Sequence, residues 1–291
     1  MTTVNDFLFA YFYQLECEIN ADCRGLASLR FQSEEANTDE EVKAFFKAYI
    51  TSNNRLKASE VERLVINRGN STLEVSMNDL AQFSISRVLL PSELTDEMRA
   101  EIAATKRSVY TNPDLYLQVN DGDSHIDYIS VELKTTKTNQ IPGSSIQQVN
   151  PSEWVIFVRH TDRGVIEVAC GFYINSITER LPFPDRSPRP IIAFDTLKKW
   201  NRESRCVDNG TLRYTIDTEA EESRIKILNN WEQVLCDEWL ETIQKRPHAA
   251  EKWFNNTIRM YTLQLLKRVK ANPQLADELI SSLSDSTTHS C

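Results

Sequence analysis

The sequence is poor in several features that mark particular classes of protein. It has only 7 glycines and 10 prolines in 291 residues, and 41% of its residues are hydrophobic, which excludes collagen-like and low-complexity chains. It has no apolar run of the roughly 18 residues that a membrane span needs. No basic residue precedes the first apolar stretch, Phe7 to Tyr13, so a signal peptide is not expected either. These absences predict a cytoplasmic protein with no membrane contact.

Motifs for zinc are also missing. The 6 cysteines form no CxxC pair, and the 4 histidines form no HxH or HExxH arrangement. The cysteines are therefore expected to be reduced thiols, most of them in the core. An excess of 42 acidic over 33 basic side chains gives a formal charge of −9, which argues against a non-specific polyelectrolyte binder but leaves room for a locally basic cleft.

Helical periodicity is concentrated near the two ends of the chain. In the clearest case, Val42, Phe46 and Ile50 recur at helical spacing behind a capping-box pair, Thr38 and Glu41. The predicted helices are Phe7 to Ile19, Thr38 to Ile50, a short segment opened by a second box at Ser59 and Glu62, Thr218 to Trp239, and Phe254 to Val269.

The middle of the chain instead has short segments rich in Val, Ile, Tyr and Phe, separated by turn residues. The predicted strands are Asp114 to Val119, Ile126 to Lys134, Trp154 to His160, Val165 to Ile174 and Ile191 to Phe194. We expect an α/β (α+β) fold with a central mixed β-sheet flanked by helices. The expected organisation is a single domain, 1–291, with a mainly helical region at 1–105, the sheet core at 106–200 and a second helical region at 201–291.

One predicted hairpin brings chemically useful side chains together. If its turn centres between Gly122 and Asp123, Asp114 lies opposite Val131, and a modest bulge would bring it directly opposite Glu132. The period of two along a strand places Glu132 and Lys134 on the same face. Two carboxylates and an ammonium therefore converge.

This combination suits magnesium-dependent phosphodiester hydrolysis. Mg²⁺ prefers hard oxygen donors, which Asp114, Glu132 and the backbone carbonyl of Leu133 could supply. Lys134 would then lie beside the attacking water and offset charge on the scissile phosphate. The competing interpretation is a plain hairpin with a surface Glu and Lys, and the half-buried alternation of Val131 to Lys134 favours the site.

Pro113-Asp114 and Glu132-Leu133-Lys134 resemble the two motif halves of the PD-(D/E)XK nuclease superfamily, and the run to Asn139 resembles type II restriction endonucleases, with the EcoRV-like branch possible. The resemblance implies a restriction-endonuclease-like core, Mg²⁺ as cofactor, and 5′-phosphate and 3′-hydroxyl products. It also implies a homodimer on double-stranded DNA in the bacterial cytoplasm, with a cognate DNA methyltransferase as genetic partner. Asp114 and Glu132 would be metal ligands, and Lys134 the catalytic lysine.

The resemblance and the local chemistry suggest further site residues. The family often adds an acid from an upstream helix, for which Glu62 is one candidate among several. Hydroxyl, amide and amino groups after the catalytic strand suit contacts to phosphates and bases. The predicted DNA-binding residues are Thr136, Lys137, Asn139, Ser144, Ser145 and Gln148. A basic interval from Arg159 to Arg205 would form the positive wall of the cleft.

Other functions remain open at this level. The same chemistry would serve a structure-specific repair or phage-type nuclease that does not read sequence. In a third interpretation the trio is accidental and the protein is a non-catalytic nucleic-acid-binding protein. Digestion of mixed-sequence DNA distinguishes the three, because discrete fragments, smears and no cleavage are different outcomes.

Overall fold

The computed structural model describes residues 3–29, 40–105, 113–122, 125–146, 149–161, 164–178, 189–244 and 252–287. The chain forms two compact units, Met1–Asn229 and Asn230–Cys291. The helices are α1 Val4–Ala21, α2 Arg24–Ala27, α3 Glu40–Ser52, α4 Met77–Leu80, α5 Asp96–Thr105, α6 Phe194–Ser204, α7 Thr218–Asn229, α8 Trp231–Gln244, α9 Lys252–Ala271 and α10 Gln274–Thr287. The strands are β1 Arg63–Arg68, β2 Ser71–Ser76, β3 Ser84–Leu89, β4 Leu115–Asn120, β5 Ile126–Thr136, β6 Gln140–Pro142, β7 Trp154–His160, β8 Ile166–Phe172, β9 Ile191–Ala193, β10 Arg205–Asp208 and β11 Thr211–Ile216.

The central sheet is mixed, as predicted. Its order is β3-β4-β5-β7-β8, with β5 and β7 parallel and the other neighbours antiparallel. Gly122 and Gly164, at φ of 94° and 75°, lie in the turns of the β4–β5 and β7–β8 hairpins, where the left-handed backbone favours glycine. The α+β fold expected from the sequence is confirmed.

A second sheet lies where the sequence predicted helix. The segment after Ser59 and Glu62 is β1, not a helix, and it pairs in parallel with β11 and antiparallel with β2. This sheet has the order β10-β11-β1-β2, so regions 1–105 and 201–291 both contain strands. The error has a physical cause: the capping-box pattern is local, whereas strand pairing with residues far along the chain decided the structure.

The core of the first unit lies between its helices and sheets. Thr3 and Asp6 form a capping box that starts α1, which buries Phe7, Phe12 and further apolar residues. The predicted amphipathic helix is confirmed as α3, which lies against β3 and buries Val42, Phe46 and Ile50 completely. Its predicted cap, Thr38, lies outside the described residues.

The second unit is helical. The single helix predicted from Thr218 to Trp239 is two helices, α7 and α8, separated at Asn230, and α9 agrees with the predicted Phe254 to Val269. Among the described residues, no helix combines the length and hydropathy that crossing a bilayer requires.

The cysteines differ from the expected core thiols. Those described, Cys17, Cys23, Cys170, Cys206 and Cys236, are all free, but only Cys170 is buried. The expectation followed from the average burial of free cysteine, which does not determine the exposure of a single residue.

Candidate active site

The register of the β4–β5 hairpin determines how Asp114 meets Glu132. Leu115, the first residue of β4, pairs with Val131, and continuing this register by one residue brings Asp114 opposite Glu132. The sequence-based register was displaced by one residue, and the bulge that it required is unnecessary. Glu132 and Lys134 share a face of β5 and pair in register with Val155 and Phe157 of β7.

Asp114 is held in place by the neighbouring strand. Its Oδ2 accepts a hydrogen bond of 2.9 Å from the backbone N–H of Leu133, the residue between the other two motif side chains. Its side chain is 15% exposed. One carboxylate oxygen is therefore used to fix the group, and Oδ1 is the candidate ligand atom of Asp114.

Glu132 and Lys134 form a buried ion pair beneath it. Lys134 Nζ lies 2.5 Å from Glu132 Oε1, and the two residues are only 5% and 7% exposed. Ser144 Oγ donates a hydrogen bond of 2.9 Å to the same Oε1. Both contacts use one oxygen, so Oε2 is the candidate ligand atom of Glu132.

These charges alter one another's protonation. Burial raises the pKa of Asp114 above its ordinary value, and the nearby Glu132 carboxylate raises it further. Burial opposes the charge on Lys134, but Glu132, Tyr173 and Asp114 outweigh it, so that the pKa of Lys134 is raised. Lys134 is therefore an ammonium ion at neutral pH, which suits a donor and a positive charge better than a base.

A short loop holds Ser144 over Glu132. The Tyr173 hydroxyl, fully buried, accepts a 2.8 Å hydrogen bond from the Ser144 N–H. The Gly143 N–H donates to the Pro190 carbonyl at 2.7 Å, where β6 pairs with β9. The position of Ser144 therefore depends on Tyr173, which follows β8, and on Pro190, which precedes β9.

The donors fit Mg²⁺. Asp114 Oδ1, Glu132 Oε2 and the Leu133 carbonyl are hard oxygen donors on adjacent strands, and Mg²⁺ is commonly bound by one or two carboxylates, with waters and substrate phosphate completing its shell. In the described part of the chain, no group of three or more His, Cys, Asp or Glu side chains could enclose a metal ion.

The upstream helix that contacts Asp114 contributes a lysine rather than the acid suggested by sequence. Glu62 immediately precedes β1, where its backbone N–H bonds to the Gly210 carbonyl, in the second sheet. The helix that does reach the site is α3. Its Lys43 Nζ lies 3.3 Å from Asp114 Oδ1 and 3.2 Å from Glu40 Oε1. No sequence signal selected Lys43, because only the packing of α3 on the sheet brings it to Asp114.

The predicted DNA-binding residues have different surroundings. Thr136 is buried and bonds to Thr138, whereas Lys137 is exposed. Asn139 bonds through Oδ1 to the Asp195 N–H at 2.8 Å and so caps the start of α6. Ser144 belongs to the Glu132 site described above, Ser145 beside it is half-buried, and Gln148 lies outside the described residues.

Three cations of the basic interval have acidic partners in the structure. Arg159 pairs with Glu167 and Asp195, Lys198 with Glu167, and Arg205 with Glu16. These cations therefore do not form an unpaired positive surface. Arg163, Arg180 and Arg186 lie outside the described residues.

No match was found among protein-family models, curated proteins or solved structures. The interpretation of the site therefore depends on its own geometry and chemistry.

Proposed function

We propose that the protein is a Mg²⁺-dependent endonuclease that cleaves double-stranded DNA at a specific sequence, as a type II restriction enzyme does. The observation that carries the proposal is that Asp114 bonds to the Leu133 N–H, between Glu132 and Lys134, while the Lys134 ammonium lies against Glu132. Two carboxylates and a buried lysine on neighbouring strands form a compact site for one hard cation and one phosphate.

The metal ligands and Lys134 would have separate roles in hydrolysis. Asp114, Glu132 and the Leu133 carbonyl would hold Mg²⁺, which when bound acts as a Lewis acid on the scissile phosphate. Lys134 donates hydrogen bonds to the water and to the phosphate, and its charge stabilises the negative charge that builds up during in-line attack. Because Lys134 is protonated, the attacking water would lose its proton to solvent or to a phosphate oxygen, and the leaving O3′ oxygen would take up a proton from solvent water. Cleavage of the P–O3′ bond leaves 5′-phosphate and 3′-hydroxyl ends.

Ser144 has a supporting role. Its hydroxyl donates to the Glu132 oxygen that also contacts Lys134, so it fixes the carboxylate orientation and directs Oε2 to the metal. A ligand whose rotamer is fixed before the metal arrives loses less conformational entropy on binding.

A homodimer would match the symmetry of a palindromic target, so that each protomer cuts one strand. The second unit supports self-association because it exposes several large apolar side chains: Leu240, Met260, Tyr261, Leu263, Leu266, Ile280 and Leu283. Light scattering on the purified protein measures this state directly. A bacterial cytoplasmic enzyme of this kind would act beside a DNA methyltransferase that protects the host sites.

The test is digestion of unmethylated plasmid DNA with and without Mg²⁺. Wild-type protein should give discrete fragments only with the metal, and Lys134→Ala should abolish them. Lys57→Ala, which removes an exposed lysine paired with Glu18, is the matched control and should cut normally.

Because Lys134→Ala leaves Glu132 buried without its cation, Asp114→Asn serves as a second inactive variant. Asparagine keeps an acceptor for the Leu133 N–H, and thermal melting checks that both variants fold. Smeared products would favour a structure-specific nuclease. Binding without any Mg²⁺-dependent cleavage would favour the non-catalytic interpretation and contradict the proposal.

A further inference from the structure

A lysine from α3, which lies outside the motif, contacts the second carboxylate oxygen of Asp114. Lys43 Nζ lies 3.3 Å from Asp114 Oδ1, whereas Oδ2 is held by the Leu133 N–H at 2.9 Å. The ammonium is therefore at the oxygen assigned above to Mg²⁺. Lys43 was not part of any sequence motif.

The position of Lys43 is built into the fold. On α3, the preceding residue Val42 and Phe46, three residues later, are completely buried, so the backbone that carries Lys43 is fixed against the sheet. Its side chain is 22% exposed and has a second partner, Glu40 Oε1, at 3.2 Å. Glu40 is 82% exposed on the helix surface. The ammonium could therefore move away from Asp114 and keep Glu40 as an anionic neighbour.

Two cations that contact one carboxylate oxygen repel each other at close range. A divalent ion that binds Asp114 Oδ1 must therefore either displace the Lys43 ammonium or bind beside its positive charge. Either effect weakens metal binding in the free protein. A substrate phosphate at the site would offer Lys43 an alternative anion and remove part of this penalty.

We propose that Lys43 competes with the divalent ion for Asp114 and so keeps the metal affinity of the DNA-free protein low. The inference rests on the proposed function for the identity of the site as a metal site. It adds a regulatory role for α3. The Lys43 ammonium stays at Asp114 until the metal takes its place and a DNA phosphate offers Lys43 another anion.

The experiment is a titration of the full-length, DNA-free protein with Mn²⁺. The concentration of unbound ion at each step is measured by electron paramagnetic resonance. Lys43→Met keeps the length of the stem and removes the charge, and it should tighten Mn²⁺ binding by on the order of tenfold. Lys43→Arg, which retains a cation, should stay close to wild type. Unchanged or weaker binding by Lys43→Met would overturn the inference.

Two further variants make the result specific. Lys47→Met changes the next turn of the same helix, where the lysine pairs with Glu93 instead, and should leave Mn²⁺ affinity unaltered. Asp114→Asn should lose binding. If it binds Mn²⁺ as wild type does, or if wild type binds none, the proposed metal site itself fails. If Asp114→Asn loses binding but Lys43→Met matches wild type, only the competition by Lys43 fails.

Thermal melting of each variant separates folding from binding. Lys43→Gln provides a second neutral side chain in case methionine disturbs the packing of α3, and it should tighten binding in the same direction. Equal affinity in Lys43→Gln and wild type, with both folded, would also contradict competition.

Discussion

At the residue scale, the ionised form of Asp114 that would bind a metal lowers the stability of the folded protein. Its carboxylate is largely withdrawn from water and faces Glu132, so its pKa is raised above the ordinary value for aspartate. A raised pKa in the folded state means that ionising Asp114 costs more in the folded protein than in the unfolded chain. The contribution of this residue to stability is thus present at low pH and is lost as the pH rises through the folded-state pKa. Such a penalty is common where a site is built for a ligand.

This sign leads to a prediction for Asp114→Asn in the metal-free protein. The amide does not ionise, so the free energy of unfolding of the variant, relative to wild type, should increase as the pH rises above about 4, the ordinary pKa of aspartate. Denaturant melts at several pH values measure the difference. A difference for Asp114→Asn that is flat or decreases with pH would contradict the raised pKa.

At the element scale, the pairing of β6 with β9 decides where Ser144 lies. Gly143 joins this short ladder to the site, and its backbone approaches both the Tyr173 hydroxyl and the Pro190 carbonyl. A Cβ at this position would overlap the hydroxyl oxygen and lie 2.8 Å from the carbonyl oxygen. Glycine is required here for close approach.

Gly143→Ala should therefore move the loop that carries Ser144. We expect a loss of about 1–3 kcal/mol in stability from overpacking, together with weaker Mn²⁺ binding because Glu132 loses its orienting hydroxyl. Calorimetry of unfolding and the Mn²⁺ titration measure the two effects.

A double variant tests the cause. Tyr173→Phe removes the oxygen that the new methyl would overlap, so Gly143→Ala should be less harmful in the Tyr173→Phe background than in wild type. Equal losses in both backgrounds would show that the hydroxyl contact is not responsible. Gly164→Ala, which has no atom within 4 Å of its added Cβ, should affect stability through its positive φ alone and leave Mn²⁺ binding intact.

At the scale of the whole molecule, an ion pair inside the first unit connects elements that are remote in sequence. Glu16 on α1 pairs with Arg205, the first residue of β10, and both side chains are only 12% exposed. Glu16 Oε2 also accepts hydrogen bonds from the Cys170 N–H at 2.7 Å and from Asn201 Nδ2 at 3.1 Å. One carboxylate thus joins α1, the edge strand β8 of the central sheet, α6 and the second sheet.

Glu16→Gln should reduce the free energy of unfolding by roughly 2–4 kcal/mol, because Arg205 is left buried without its counter-charge. Glu167→Gln is a suitable comparison, since Glu167 pairs with Arg159 and Lys198 but is 29% exposed. It should lose less than about 1 kcal/mol. Urea titrations of the two variants give the comparison, and similar losses would mean that burial does not set the strength of these pairs.

The sequence by itself determined the features that depend on neighbouring residues. The alternation from Val131 to Lys134, the Gly122 turn and the apolar stripe of α3 were sufficient to predict the β4–β5 hairpin, the mixed sheet and the face shared by Glu132 and Lys134. These patterns are local, because a strand or helix places its side chains by its own period. The register, displaced by one residue, was the main local error.

Only the tertiary structure decided the rest. The second sheet arose because β1 pairs with β11, and Lys43 reaches Asp114 because α3 packs on β3. Likewise, Asn139 Oδ1 accepts a hydrogen bond from the Asp195 N–H at the start of α6, and Arg205 is a buried partner of Glu16. Contacts of this kind join residues tens to hundreds of positions apart, and their energies depend on burial and on the partner that arrives, which no local pattern in the chain records.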